Sequence, residues 1–145
     1  MESRRRKSLR AALVAGIGGL ALSVASLARA ADAPAAAPLT GRWAVRIVQP
    51  TAGCDWVGEV RLTERAGALD GEGSAAPTKD SRNPRRCPQL KGRIAGSVRG
   101  GIVRFGFATG RLGKAEFEGR IVKQGKEMQG SWTARSAAGQ WAAAR

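Results

Sequence analysis

The chain has 145 residues, with 25 Lys and Arg against 11 Asp and Glu, and it contains no histidine and no tyrosine. A formal net charge of +14 suits either a solvated basic surface or attraction to polyanions. The missing imidazole removes the usual base of serine and cysteine nucleophiles. Metal-ligand clusters are absent too, so no catalytic residue, metal or cofactor is expected.

Read from the start, Arg4, Arg5, Arg6, Lys7 and Arg10 precede an apolar run from Ala11 to Leu27 and the small-x-small site Ala28-Arg29-Ala30. This is the pattern of a secretory signal peptide over residues 1–30, so the protein is expected to be exported, periplasmic or secreted. An uncleaved anchor is the alternative, although the run is short against the ~20 residues of a spanning helix. Arg5-Arg6 partly resembles a twin-arginine signal, but Ser8 fills the aromatic slot, and the export route stays open. Removing the segment's six basic residues and one acid leaves 19 basic against 10 acidic, a net of +9. Residues 31–38 (ADAPAAAP) read as a disordered Ala/Pro lead-in, and residues 39–145 as one domain.

Within that domain a five-residue word recurs: apolar, any, glycine, any, apolar. Its copies are LTGRW, WVGEV, LDGEG, LKGRI, IAGSV, FEGRI and MQGSW. In a strand, positions i, i+2 and i+4 share a face, so each word puts its glycine between apolar residues on one face. Glycine in a strand marks a tight bend or a close approach. The recurrence predicts a strongly curved sheet with one dry side.

Alternation and turn residues place eight strands: Arg42–Val48, Asp55–Glu64, Ala68–Ser74, Gln89–Arg99, Ile102–Ala108, Ala115–Lys123, Glu127–Ala134 and Gln140–Arg145. Pro50 and Gly53 turn the first link, and Gly100-Gly101 makes a two-residue hairpin. The segment Ala75–Pro88 reads as a long loop rich in Pro and Arg. Eight short antiparallel strands with short links predict an all-β, up-and-down barrel, which leaves no free sheet edge. Its links 1–2 and 3–4 lie at one end, which brings Cys54 and Cys87 together. An even cysteine count in an exported chain reads as a disulfide.

At this level LTGRW, LDGEG, RFGFAT and the segment from FEGRI through GSWTARS to WAAAR resemble avidin and streptavidin, in the order that family uses, over Leu39 to Arg145. The resemblance implies a calycin-type barrel, an aromatic-lined biotin cavity and frequent tetramers. The stretch AVRIVQPTAG lacks the Asn/Ser grip for the biotin ureido group. Gly73 stands where the family carries Tyr, and the last strand stops at Arg145. The biotin-contact residues are largely not retained.

Five aromatic side chains, Trp56, Phe107, Phe117, Trp132 and Trp141, face inward at the cysteine end. They are the candidate lining of a small-molecule site, with plain core as the alternative. The glycines at 58, 92, 96, 119 and 130 are expected to leave internal volume. At the other end Arg145 is placed over the Trp43 ring as a structural plug. The loop Lys79, Arg82, Arg85 and Arg86, with Lys91 and Arg93 beside it, forms the strongest basic patch. Glu59, Glu116 and Glu118 fall outward, as partners for Arg61 and Arg120.

Three functions fit this arrangement. One is a binding protein for a small, partly apolar or anionic ligand. The second is a protein-interaction module, such as a periplasmic hydrolase or protease inhibitor. The third is a polyanion or envelope-surface binder. Nucleic acid is disfavoured because the aromatics needed for stacking point inward. Whether the barrel is hollow separates the first from the others.

Overall fold

A computed structural model describes residues 38–110 and 113–145. The signal-like segment and all but the last residue of the lead-in lie outside the described residues. Eight antiparallel strands follow in order: β1 (Gly41–Gln49), β2 (Cys54–Arg65), β3 (Ala68–Pro77), β4 (Leu90–Arg99), β5 (Ile102–Thr109), β6 (Gly113–Val122), β7 (Glu127–Ala134) and β8 (Ala137–Ala144). Each pairs with its neighbour in sequence. β8 returns to β1 through Ala44–Val48 against Gln140–Ala144, so the sheet is a closed barrel. The all-β barrel expected from the alternation is the observed fold.

The strand bounds differ in three places with physical content. β3 runs on to Pro77, opposite Trp56. The β3–β4 ladder ends at Ala75 opposite Leu90, so Pro77 stands on an edge past it and its missing N–H removes no bond on that side. β6 starts at Gly113 rather than Ala115, and β8 at Ala137 rather than Gln140. The β7–β8 turn is thereby reduced to Arg135 and Ser136, with Arg135 at φ 48°. The expected long loop shrinks to residues 78–89, with a short 3-10 turn at Pro84–Arg86.

Alternation sets what is inside. Trp43, Val45 and Ile47 of β1 are buried while Arg42, Ala44 and Arg46 are exposed, and the other strands repeat the pattern. The glycines of the repeated word lie on the inner side, and they correct the expectation of free volume. A Cβ on Gly58, Gly92 or Gly130 would strike the carbonyl oxygen of Ser74, Ala108 or Glu118 on the neighbouring strand. A Cβ on Gly119 would come within 2.7 Å of the Trp141 ring. The room left by the missing side chains is taken by adjacent backbone and by tryptophan. Glycine here lets the sheet coil tightly; it does not hollow the barrel.

The end opposite the cysteines is plugged. The Trp43 indole N–H donates to the Leu39 carbonyl at 2.8 Å, and the Leu39 N–H donates to Glu64 Oε2 at 2.7 Å. The Arg145 guanidinium lies 4.7 Å above the Trp43 ring and donates to the Pro38 carbonyl at 3.1 Å. A cation over an indole face is attracted by the ring quadrupole, so Arg145 is tied to the segment that leads into β1 across the barrel base.

Candidate functional site

The five aromatic side chains meet in the half of the barrel toward Cys54. Phe117 is the hub. It stacks with Trp132 at 6.1 Å between ring centroids and meets Phe107 and Trp141 edge-on at 6.2 and 5.8 Å. Trp56 meets Trp132 edge-on at 6.5 Å. A sixth ring completes the cluster: Phe105 stacks on Phe117 at 4.9 Å. Phe105 has the same strand parity as Phe107, and that was the signal that could have placed it.

The cluster is packed. The cavity bordered by Ile94, Phe105, Phe107, Phe117, Met128 and Trp141 measures about 10 Å³, at the lower limit of what one water molecule needs (~10–15 Å³). The polar edges are also spent. The indole N–H groups of Trp56, Trp132 and Trp141 donate to the carbonyls of Pro88, Val48 and Glu118 at 2.7, 3.2 and 3.2 Å. Among the described residues no buried side-chain nitrogen or oxygen lacks a partner. A ligand site needs room and a few polar groups aimed into it; this interior offers neither in its closed form.

The loop between β3 and β4 is a built surface. Cys54, at the start of β2, is bonded to Cys87, with Cα atoms 5.8 Å apart. Buried Ser81 accepts the Asp55 N–H and donates to the Asp55 carbonyl, both at 3.0 Å. The Thr78 N–H donates to the same carbonyl at 2.7 Å, and the Arg82 N–H to the Gly53 carbonyl at 2.7 Å. Gly53 takes φ 66°, and a Cβ there would meet the Arg82 side chain. The Asp55 carboxylate, nearly buried, is gripped by Arg46, with Nε to Oδ1 at 3.0 Å. That bond and the adjacent negative charge raise the Arg46 pKa above its ordinary value. Asp55 and Ser81 were not singled out in the sequence. Their pairing spans 26 positions and becomes visible only once the two links meet.

This clamp holds Lys79, Arg82, Arg85 and Arg86 outward on an ordered loop, all exposed. Lys91 and Arg93 continue the same charge along the outer face of β4. Among the described residues the ion pairs are Arg42 and Arg61 with Glu59, Arg46 with Asp55, Arg104 with Glu118, Lys114 with Glu116, and Lys123 with Glu127. Glu59 therefore partners Arg61, whereas Glu116 and Glu118 partner Lys114 and Arg104 rather than Arg120. None of the loop cations, Lys91 or Arg93 is compensated in this way. Beside them the outer faces of β2, β3 and β4 form a shallow open groove of about 530 Å³ whose charged lining is Glu59, Arg61, Glu72, Lys91 and Arg93. Among the described residues no three His, Cys, Asp or Glu side chains form a metal-sized group.

No protein-family model and no curated protein matches the chain. The avidin resemblance thus reaches as far as the closed eight-stranded barrel, and the site has to be read from its own geometry.

Proposed function

We propose that the protein is an exported binding module that works by its outer surface. The closed barrel is the scaffold, and the clamped basic loop after β3 is the contact surface for an acidic partner. The observation that carries this reading is the filled interior, a cavity of about 10 Å³ with every indole N–H already bonded. A small molecule inside would have to displace rings that pack on one another. The paired cysteines and the signal-like N-terminus support export, since disulfides persist in oxidising compartments. Among the described residues no helix is long and apolar enough to cross a membrane. On this reading the protein acts by recognition and carries out no chemical step.

The test has two arms. Intrinsic tryptophan fluorescence is titrated with biotin and with a panel of small apolar ligands, and no saturable change is expected. In parallel, a variant with Lys79, Arg82, Arg85 and Arg86 changed to Gln is compared with the parent for retention on a sulfated matrix; earlier elution is expected. Saturable quenching by a small ligand, equal in the parent and the loop variant, would move the site into the barrel and defeat the proposal.

A further inference from the structure

We infer that the acidic partner is an extended anionic polysaccharide, lying along the track Arg82, Arg85, Arg86, Lys91 and Arg93. The inference rests on the surface-binding reading above and names the partner of that surface.

The track has a direction. It begins on the loop at the barrel's end and descends the wall on β4. There Lys91 and Arg93 project to the same face, about 6.6 Å apart at two strand rises. Register sets Lys91 beside Ser74 and Arg93 beside Glu72. Lys91 and Arg93 are therefore set one behind the other on an open surface, and the exposed loop cations precede them at the barrel's end. That layout fits repeated charges on a chain better than a single small anion. Three of the five are arginines on the clamped loop. A planar guanidinium offers two parallel N–H bonds to a carboxylate or sulfate oxygen pair, and a fixed loop loses less entropy on docking.

The same surface argues against other anionic partners. Protein interfaces are built on apolar and aromatic anchors with charge at the rim. Among the described residues the exposed large hydrophobic is Val57, a single side chain two positions along β2 from Glu59 and too small an apolar anchor for a protein interface. Single-stranded nucleic acid needs exposed aromatic platforms, and all four tryptophans and three phenylalanines are buried. A bilayer presents a plane, whereas the cations here run down the barrel wall. Glu72 is the acid within the groove that has no ion pair among the described residues. It sits against Arg93 in register and opposes an anionic chain.

The experiment is titration calorimetry of the full chain with a heparin oligosaccharide. The comparison probes are a polyaspartate-rich protein, phosphatidylglycerol vesicles and a thymidine oligonucleotide. The oligosaccharide is expected to bind tightest, and its affinity should fall more than about tenfold between about 50 and 200 mM salt, as cation pairing displaces counterions. Lys91→Gln with Arg93→Gln should weaken it about thirtyfold at low salt, about fivefold for each surface cation removed near fixed anionic charge. Glu72→Gln should strengthen it several-fold. These three positions are exposed, and none of them is in an ion pair among the described residues, so each variant should fold. Tighter binding of the acidic protein, vesicles or oligonucleotide would overturn the polysaccharide assignment while leaving surface binding intact. Unchanged affinity in the Lys91/Arg93 variant would overturn the track. Loss of all anionic binding, together with quenching by a small ligand, would overturn the surface reading itself.

Discussion

Breaking the Cys54–Cys87 bond should cost about 3.5–4 kcal/mol, nearly all of it through the unfolded state. The bond closes a loop with a sequence separation of 33. The chain-entropy relation for a loop of that size yields about 3.8 kcal/mol at room temperature. The folded side should change little. Both cysteines are buried, and the loop stays tied by Ser81 to Asp55, Arg82 to Gly53 and Trp56 to Pro88. The assay is urea denaturation of the chain without residues 1–30, oxidised and reduced, followed by tryptophan emission. With a slope of about 1.5 kcal/mol per molar urea, the midpoint should fall by about 2.5 M. A thermal midpoint should fall by about 15 °C or more. Kinetics add detail: the loss divides between slower refolding and faster unfolding according to how far this loop is closed in the transition state. A midpoint shift under about 0.5 M would refute the stapling role.

Two further outcomes probe the core and the surface. Phe117→Ala removes the ring shared by most of the aromatic pairs, and disulfide-intact protein should lose about 3–5 kcal/mol in the same denaturation assay. A loss below about 1 kcal/mol would mean that the cluster is not packed as described. On the outer wall, Arg104 holds Glu118 at 2.7 Å, and this hydrogen bond, reinforced by the positive charge, lowers the Glu118 pKa. A depressed carboxylate stabilises the fold above its unfolded pKa and loses that contribution as pH falls through the folded value. Glu118→Gln should therefore narrow the stability gap to the parent below about pH 4. The pair is exposed, so the effect should be small and should fade in high salt. A gap that widens on acidification would contradict the assignment.

The parts of this fold that could be read from the chain are those governed by a period of two. Trp43, Val45 and Ile47 against Arg42, Ala44 and Arg46 announce a half-buried strand without any tertiary knowledge. Counting such strands places links 1–2 and 3–4 at one end, and Cys54 meets Cys87 as a consequence. Where the period is silent, the reading slips. Ala137, Ala138 and Gly139 carry no apolar contrast, yet they form the first half of the observed β8, with Gly139 pressed against the Val48 carbonyl and the Trp132 indole. Proline at position 77 looks like a loop residue and instead ends a strand. The clamp of Ser81 on Asp55 depends on distance in space, which no local pattern encodes.

The glycine words show how a correct local inference can point to the wrong function. Their placement on the inner face follows from sequence alone. What occupies the space beside each glycine does not, because it is decided by how far the neighbouring strand swings inward. In a wide barrel those positions would line a cavity. Here the carbonyls of Ser74, Ala108 and Glu118 and the ring of Trp141 take up that volume, so the feature that suggested a ligand cavity is the one that closes it. The closed interior, with its tryptophans bonded to main-chain carbonyls, is what directs the proposed function to the outer surface. On the outside, four cations without an ion pair among the described residues lie beside the disulfide: Lys79, Arg82, Arg85 and Arg86, with Asp80 among them, fall between Cys54 and Cys87 in sequence and on the loop that bond pins. The staple stabilises the fold in its own right, and under the proposed function it also fixes the contact loop. Under the proposed function, each side-chain or loop rotation that the anchoring removes is one that docking of an anion need not freeze.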